Sequence, residues 1–186
     1  MAAMVNEPYW INDVLHFWFD ELGEADWFSG DAAVDHKTRT RFLALHLQLV
    51  ATDATGIQEP RALLAAVIVL DQFSRSLFRN DPRAYASDPI ARRLAQQAIA
   101  GGHDLAMPAR QRLFLYLPLE HSEDAEHQAL AVEKISALHN EEWTRYARLH
   151  QHLIERFGRF PGRNAALGRH STPDEVAALQ GPNAAF

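Results

Sequence analysis

Pro60-Arg61-Ala62-Leu63-Leu64-Ala65-Ala66-Val67-Ile68-Val69-Leu70 carries no charge after Arg61, and it runs directly into Asp71-Gln72-Phe73-Ser74-Arg75. Proline suits the first position of a helix, where its missing N–H is not needed. The residues after it are apolar nearly all round, which places this helix at the centre of a fold. Val67-Ile68-Val69 is β-branched but lies inside the helical pattern, so no strand is read there. Charges that interrupt such a segment need partners, because burying an unpaired charge is costly. On a regular helix Asp71, Arg75 and Arg79 stand four apart and share a face. Asp71 and Arg75 then form a ready ion pair. A bend between Ser74 and Asn80 would send Arg79 elsewhere.

Working outward, nearly every segment reads as helix. Val14, Leu15, Phe17, Trp18 and Leu22 recur at helical spacing up to Gly23. Asp31 caps a helix reaching about Ala51. Asp88-Pro89 opens another, with Asp88 as its cap, and Gly101-Gly102 closes it. Pro108 opens the next, and Pro118 is expected to break it. Ser122 is read as the cap of a helix from Glu123, and Asn140 as the cap of one from Glu141 to Phe157. Gly158, Pro161 and Gly162 force an irregular loop. Thr172-Pro173-Asp174-Glu175 is a capping box. The expectation is an all-α fold of about eight helices in antiparallel pairs, since short turns make neighbours antiparallel. A chain of 186 residues fits one domain.

Composition excludes several classes. There is no cysteine, so disulfides, thiolate nucleophiles and cysteine-ligated metals are ruled out. A net charge of −6 argues against a nucleic-acid binder. The apolar run from Ala62 to Leu70 is too short to span a bilayer. The stretch Met1 to Pro8 lacks the basic and apolar regions of a secretory signal. A cytoplasmic protein with no nucleic-acid or membrane partner is the expectation.

Two further segments carry chemistry. Tyr116-Leu117-Pro118-Leu119-Glu120-His121-Ser122-Glu123-Asp124 places a histidine between carboxylates, so His121 and Glu120 are candidate proton carriers. Arg156-Phe157-Gly158-Arg159-Phe160-Pro161-Gly162-Arg163-Asn164 joins arginines, freed backbone and aromatic anchors. Arginine's planar fork suits carboxylate and phosphate. This run reads either as an anion-recognition loop or as a neutraliser of the acidic patch around Glu120, and the two readings stay open. Asp124 and His127, three apart, would suit a metal only with a matching motif on a facing helix. His150 and His152 are two apart and point to different sides, so no metal site is assigned. Ser122 beside His121 does not make a nucleophile, since no Gly-x-Ser-x-Gly elbow is present. Trp10, Trp18 and Trp27, with Phe17, Phe19 and Phe28, read as core aromatics, and any of them left exposed would read as a partner groove.

These motifs resemble those of the bacterial family of domain of unknown function 924. The resemblance rests on Phe17-Trp18-Phe19, Trp27-Phe28, Leu70 to Arg75, Leu77 to Asn80, Tyr116 to Asp124 and Arg156 to Asn164. Leu167-Gly168-Arg169 and Ser171 to Glu175 follow in the same order. It covers roughly Val14 to Leu179. Two departures stand out: Ser74 replaces an expected proline and would relax the end of the third helix, while Gly162 replaces a larger residue. The resemblance implies an all-helical, tetratricopeptide-like fold and brings no activity, substrate or cofactor.

The reading therefore joins three distant segments in one cleft lined by Asp71, Arg75, Arg79, Glu120, His121, Arg159, Arg163 and Asn164. It would hold a small anionic ligand or a peptide carboxylate, with Asp71 and Glu120 orienting the arginines. The alternatives are an enzyme using His121 or Glu120 in the same cleft, and a protein-interaction scaffold in which the cluster is only a clamp.

Overall fold

The computed structural model describes residues 8–180, so the stretch Met1 to Glu7 lies outside it. The α-helices, in order, are α1 Tyr9–His16, α2 Glu24–Trp27, α3 Ala32–Ala51, α4 Pro60–Val67, α5 Ser74–Leu77, α6 Arg83–Ala86, α7 Asp88–Ala100, α8 Ala109–Glu120, α9 Ala125–Ser136, α10 Glu141–Phe157 and α11 Pro173–Ala178. No strand occurs among the described residues. The fold is all-α.

The local signals explain most of these boundaries. The Asp31 carboxylate accepts the backbone N–H of Ala33 at 2.6 Å. Asn140 accepts from Trp143 N at 3.0 Å. Gly158 ends α10 with φ +68°, a left-handed value natural to glycine. Thr172 and Glu175 form the reciprocal capping box. Asn140→Ala is expected to cost about 1 kcal/mol, the usual value of an N-cap. A denaturation midpoint that does not move would exclude that role for Asn140.

Helix α4 is the centre. Every residue from Ala62 to Phe73 is buried, and α4 packs against α1, α7 and α8. Helices α8, α9 and α10 follow through short connections and lie side by side, which makes them antiparallel neighbours.

Two stretches depart from the regular helices expected. Phe17–Glu21 and Ile68–Phe73 are π-helical, with one extra residue per turn. They meet in the core, where Phe17 and Phe73 pack edge-on at 5.8 Å and both contact Phe42. A widened turn splays its carbonyls, and side chains take them up. Ser87 Oγ donates to Leu70 O at 2.6 Å, and Arg75 Nη1 donates to Asp71 O at 2.5 Å. Ser74 does not loosen this end. It is fully buried, donates to Arg83 O at 3.2 Å and also meets Ser87 Oγ.

Three expected boundaries are corrected. Pro118 does not break α8: it sits in the last turn before Glu120. The cap of α9 is Asp124, which accepts from Glu126 N and His127 N, while Ser122 Oγ meets His127 Nδ1 instead. Helix α7 is preceded by Ser87, and the Asp88 carboxylate turns away from the helix end to a guanidinium.

Candidate functional site

The π-helical turn aims Asp71 across the core at the end of α8. Asp71 has 0% of its side chain exposed. His121 Nδ1 donates to its two oxygens at 2.8 and 3.0 Å, and Gln72 Nε2 donates at 2.5 Å. Arg75 Nη1 lies 3.3 Å from Asp71 Oδ1. The same guanidinium forks onto Asp88, with both contacts at 3.1 Å. Burial alone would raise the Asp71 carboxyl, but Arg75 and His121 beside it hold it well below the usual carboxylate range. Burial works against the Arg75 charge, yet Asp71 and Asp88 drive its pKa higher still.

Behind His121 stands a second acid–imidazole pair. His150, from α10, has Nδ1 2.9 Å from Tyr146 O and 3.0 Å from Glu120 Oε1. The His121 and His150 rings are 6.0 Å apart. Burial, then the negative charge of Asp71, pushes Glu120 up to about 8. Burial, then His121, pushes His150 down to about 3. At neutral pH the pair holds one proton and no net charge, with the acid protonated and the imidazole neutral.

Arg163 closes the cluster from the 3₁₀ turn Pro161–Arg163. Its guanidinium lies over Phe160 at 4.4 Å and Tyr85 at 4.8 Å. Its nearest carboxylate oxygen, on Asp88, is 3.6 Å away, and it makes no hydrogen bond to a described residue. Burial, then the charge of Arg75, lowers it to about 10, so it remains a cation at neutral pH. The His121 imidazole is lowered by burial, with Asp71 opposing and Arg75 and Arg163 adding to the depression. It is therefore neutral, with Nδ1–H on Asp71 and a lone pair on Nε2. The cluster reaches solvent through Arg75, His121 and Arg163, whose side chains are 23%, 14% and 13% exposed.

The structure brings Asp71, Arg75, Glu120, His121 and Arg163 together. It adds Asp88, His150 and Tyr85, which sequence reasoning missed. Glu120 orients no arginine and instead meets His150. Three expected members lie elsewhere. Arg79 forks onto Asp35 at 2.9 and 2.8 Å and lines a separate hollow of about 410 Å³ with Arg39 and Asp81. Arg159 pairs with Glu175 at 2.6 Å and ties α11 down. Asn164 donates to Ser171 Oγ and Glu175. The acidic patch is divided as well: Glu123 accepts from Arg169 at 2.7 Å and from Phe160 N at 2.8 Å, which seats the loop. A hollow of about 800 Å³ between the end of α9 and α10 includes none of the cluster. Electrostatics rather than cavity volume marks the site. Among the described residues, no group of three or more histidine and carboxylate side chains is placed to hold a metal ion.

The bacterial family of proteins of unknown function DUF924 matches residues 14–183. The chain belongs to DUF924. It is similar to a solved structure described as a protein of unknown function, ATU0120, from Agrobacterium tumefaciens. The two share 37% identity with a TM-score of 0.86, over 91% of this chain and 96% of the other. No curated protein matches the chain. The DUF924 match spans all three segments that build the cluster. Among the described residues, no helix is long and apolar enough to cross a membrane.

Proposed function

We propose that the Asp71–Arg75–His121–Arg163 cluster binds a small anion or a peptide carboxylate. The observation that supports this reading is Arg163. It is a charged guanidinium over two aromatic faces, with no hydrogen bond to a described residue and its nearest carboxylate at 3.6 Å. A guanidinium has five N–H donors, and those of Arg163 face the opening to solvent, where its side chain is 13% exposed, rather than a protein acceptor. An anion entering beside His121 would take them in a bidentate contact. Asp71 and Asp88 hold Arg75 rigidly at one side, so the lining is preorganised.

Calorimetric titration of the whole chain with inorganic phosphate and with acetate tests the reading. Arg163→Ala is expected to weaken binding at least about tenfold, equivalent to about 1.4 kcal/mol. Arg79→Ala and Arg159→Ala are expected to leave binding unchanged. Equal binding by wild type and Arg163→Ala would overturn the assignment.

The Asp71–His121 hydrogen bond favours a second reading, an enzyme. A carboxylate that fixes Nδ1–H and leaves the Nε2 lone pair available is the arrangement of a general base. Under this reading His121→Ala abolishes turnover, and activity surviving it would end the reading. We also read the consecutive antiparallel helices as tetratricopeptide-like packing, and the cysteine-free chain as cytoplasmic.

A further inference from the structure

Resting on the anion-binding reading, we propose that the ligand is a phosphate monoester, held as a dianion between Arg163 and a protonated His121. The charge inventory carries this. Two guanidiniums, Arg75 and Arg163, face two carboxylates, Asp71 and Asp88. The Glu120–His150 pair adds no net charge. A monoanionic carboxylate needs only the Arg163 fork. A dianion needs a second cation, and the cluster has one group able to become it.

That group is His121. Its Nδ1 is committed to Asp71, and its Nε2 makes no hydrogen bond to a described residue. Protonation at Nε2 creates a donor without disturbing the Asp71 contact. The charged and titratable groups around the ring come from every element packed on it. Asp71 lies on the π-helical turn, Arg75 on α5, His150 on α10 and Arg163 on the 3₁₀ turn, with Glu120 next to it in α8. Asp71 favours the proton, while Arg75 and Arg163 oppose it. A bound dianion reverses that opposition by neutralising the guanidiniums. Arg75, Arg163 and His121 approach from three different elements, and the Tyr85 ring lies beneath both guanidiniums. Donors arriving from several directions suit a tetrahedral phosphate better than a planar carboxylate.

The test is calorimetry at pH 7, where the Glu120 acid stays protonated, with methyl phosphate, chiefly a dianion there, and with acetate, in buffers of different ionisation enthalpy. Methyl phosphate is expected to bind with uptake of about one proton, acetate with none, because uptake follows the difference in protons held by the two states. Methyl phosphate is also expected to bind at least about tenfold tighter. His121→Gln should remove both the uptake and the preference. In wild-type protein carrying ¹⁵N-labelled histidine, the His121 Nε2 signal should move from the unprotonated to the protonated range on adding methyl phosphate. This reports the proton even if the variant does not fold. Binding of methyl phosphate without proton uptake, uptake that persists in His121→Gln, or equal affinity for acetate would overturn the proposal while leaving the anion site standing. If neither compound binds, the anion-binding reading itself falls.

Discussion

Asp71→Ala is expected to destabilise the protein by about 3–5 kcal/mol, the range seen when one partner is removed from a buried ion pair. Its carboxylate is fully buried and accepts from His121 and Gln72 beside the Arg75 guanidinium. Without it, Arg75 keeps Asp88, but the His121 Nδ1–H and the Gln72 amide face a void. Urea denaturation of wild type, Asp71→Ala and Asp71→Asn measures the effect. The asparagine variant keeps the shape and loses the charge, so it should fall between the other two. A loss in Asp71→Ala below about 1 kcal/mol, the size of a single hydrogen bond, would mean that Asp71 does not organise the cluster. The pH dependence has a definite sign. The Asp71 carboxyl is held below its ordinary 3.8, so its contribution is present above that value and is lost as pH falls below it.

The second large effect lies at Glu120. Unfolded, Glu120 and His150 titrate at their ordinary values, 4.5 and 6.5; folded, they are moved to about 8 and about 3. Between pH 4.5 and 6.5 each state holds one proton across the pair, on His150 when unfolded and on Glu120 when folded. Stability from this pair is then flat. Above 6.5 the unfolded pair has lost both protons while the folded pair keeps one until about 8. The folded state binds more protons there, so stability falls as pH rises, by about 1.4 kcal/mol per pH unit. The fall from pH 6.5 to 8 is about 2 kcal/mol. Glu120→Gln carries no proton to hold, so above pH 6.5 its curve should be level while the wild type falls; below 6.5 the variant loses stability as His150 of the unfolded chain takes up a proton. Denaturation midpoints at half-unit intervals measure both curves. A wild type that stays flat above pH 6.5, or a glutamine variant as steep as wild type, would refute the buried protonated acid.

The helices were legible because their ends carry local chemistry: Asp31, Pro60, Asn140, Gly158 and the Thr172–Glu175 box act on backbone groups within one turn of themselves. The same local logic fails at Ser122 and Asp88, where a plausible cap is drawn to another side chain, His127 five residues on and Arg75 in α5. Of the five expected residues that the structure brings together in the candidate site, Asp71, Glu120 and His121 are hemmed in by apolar sequence, while Arg75 and Arg163 follow one turn or a few residues behind an aromatic. Arg159 and Asn164 fall outside the site because the loop after Gly158 turns them to Glu175 and Ser171, partners far along the chain. Arg79 left because the chain turns at Phe78 and gives it Asp35. A signal for the missed members existed. His150 shares the buried face of α10 with Ala147 and Ile154, and Asp88 precedes buried Ala91 and Ala95 at helical spacing. A polar residue in phase with a helix's apolar stripe is a stronger pointer than one that merely adjoins other charges. The π-helical turns leave no such trace, because the residues in them are ordinary helix-core residues.

Those turns have an evolutionary corollary. A π-helical turn is a regular helix with one residue inserted, and the wider turn absorbs that residue, so the helix on either side keeps its facing while the residues within the turn are displaced. Deleting a single apolar position between Ile68 and Leu70 would restore a regular helix and remove the widened turn from which Asp71 reaches His121. Chains descended from a common ancestor that retain this cluster should therefore keep the same residue count from Pro60 to Asp71, whatever the identities in between. A one-position gap there would mark a lineage that has discarded the site while keeping the helical framework.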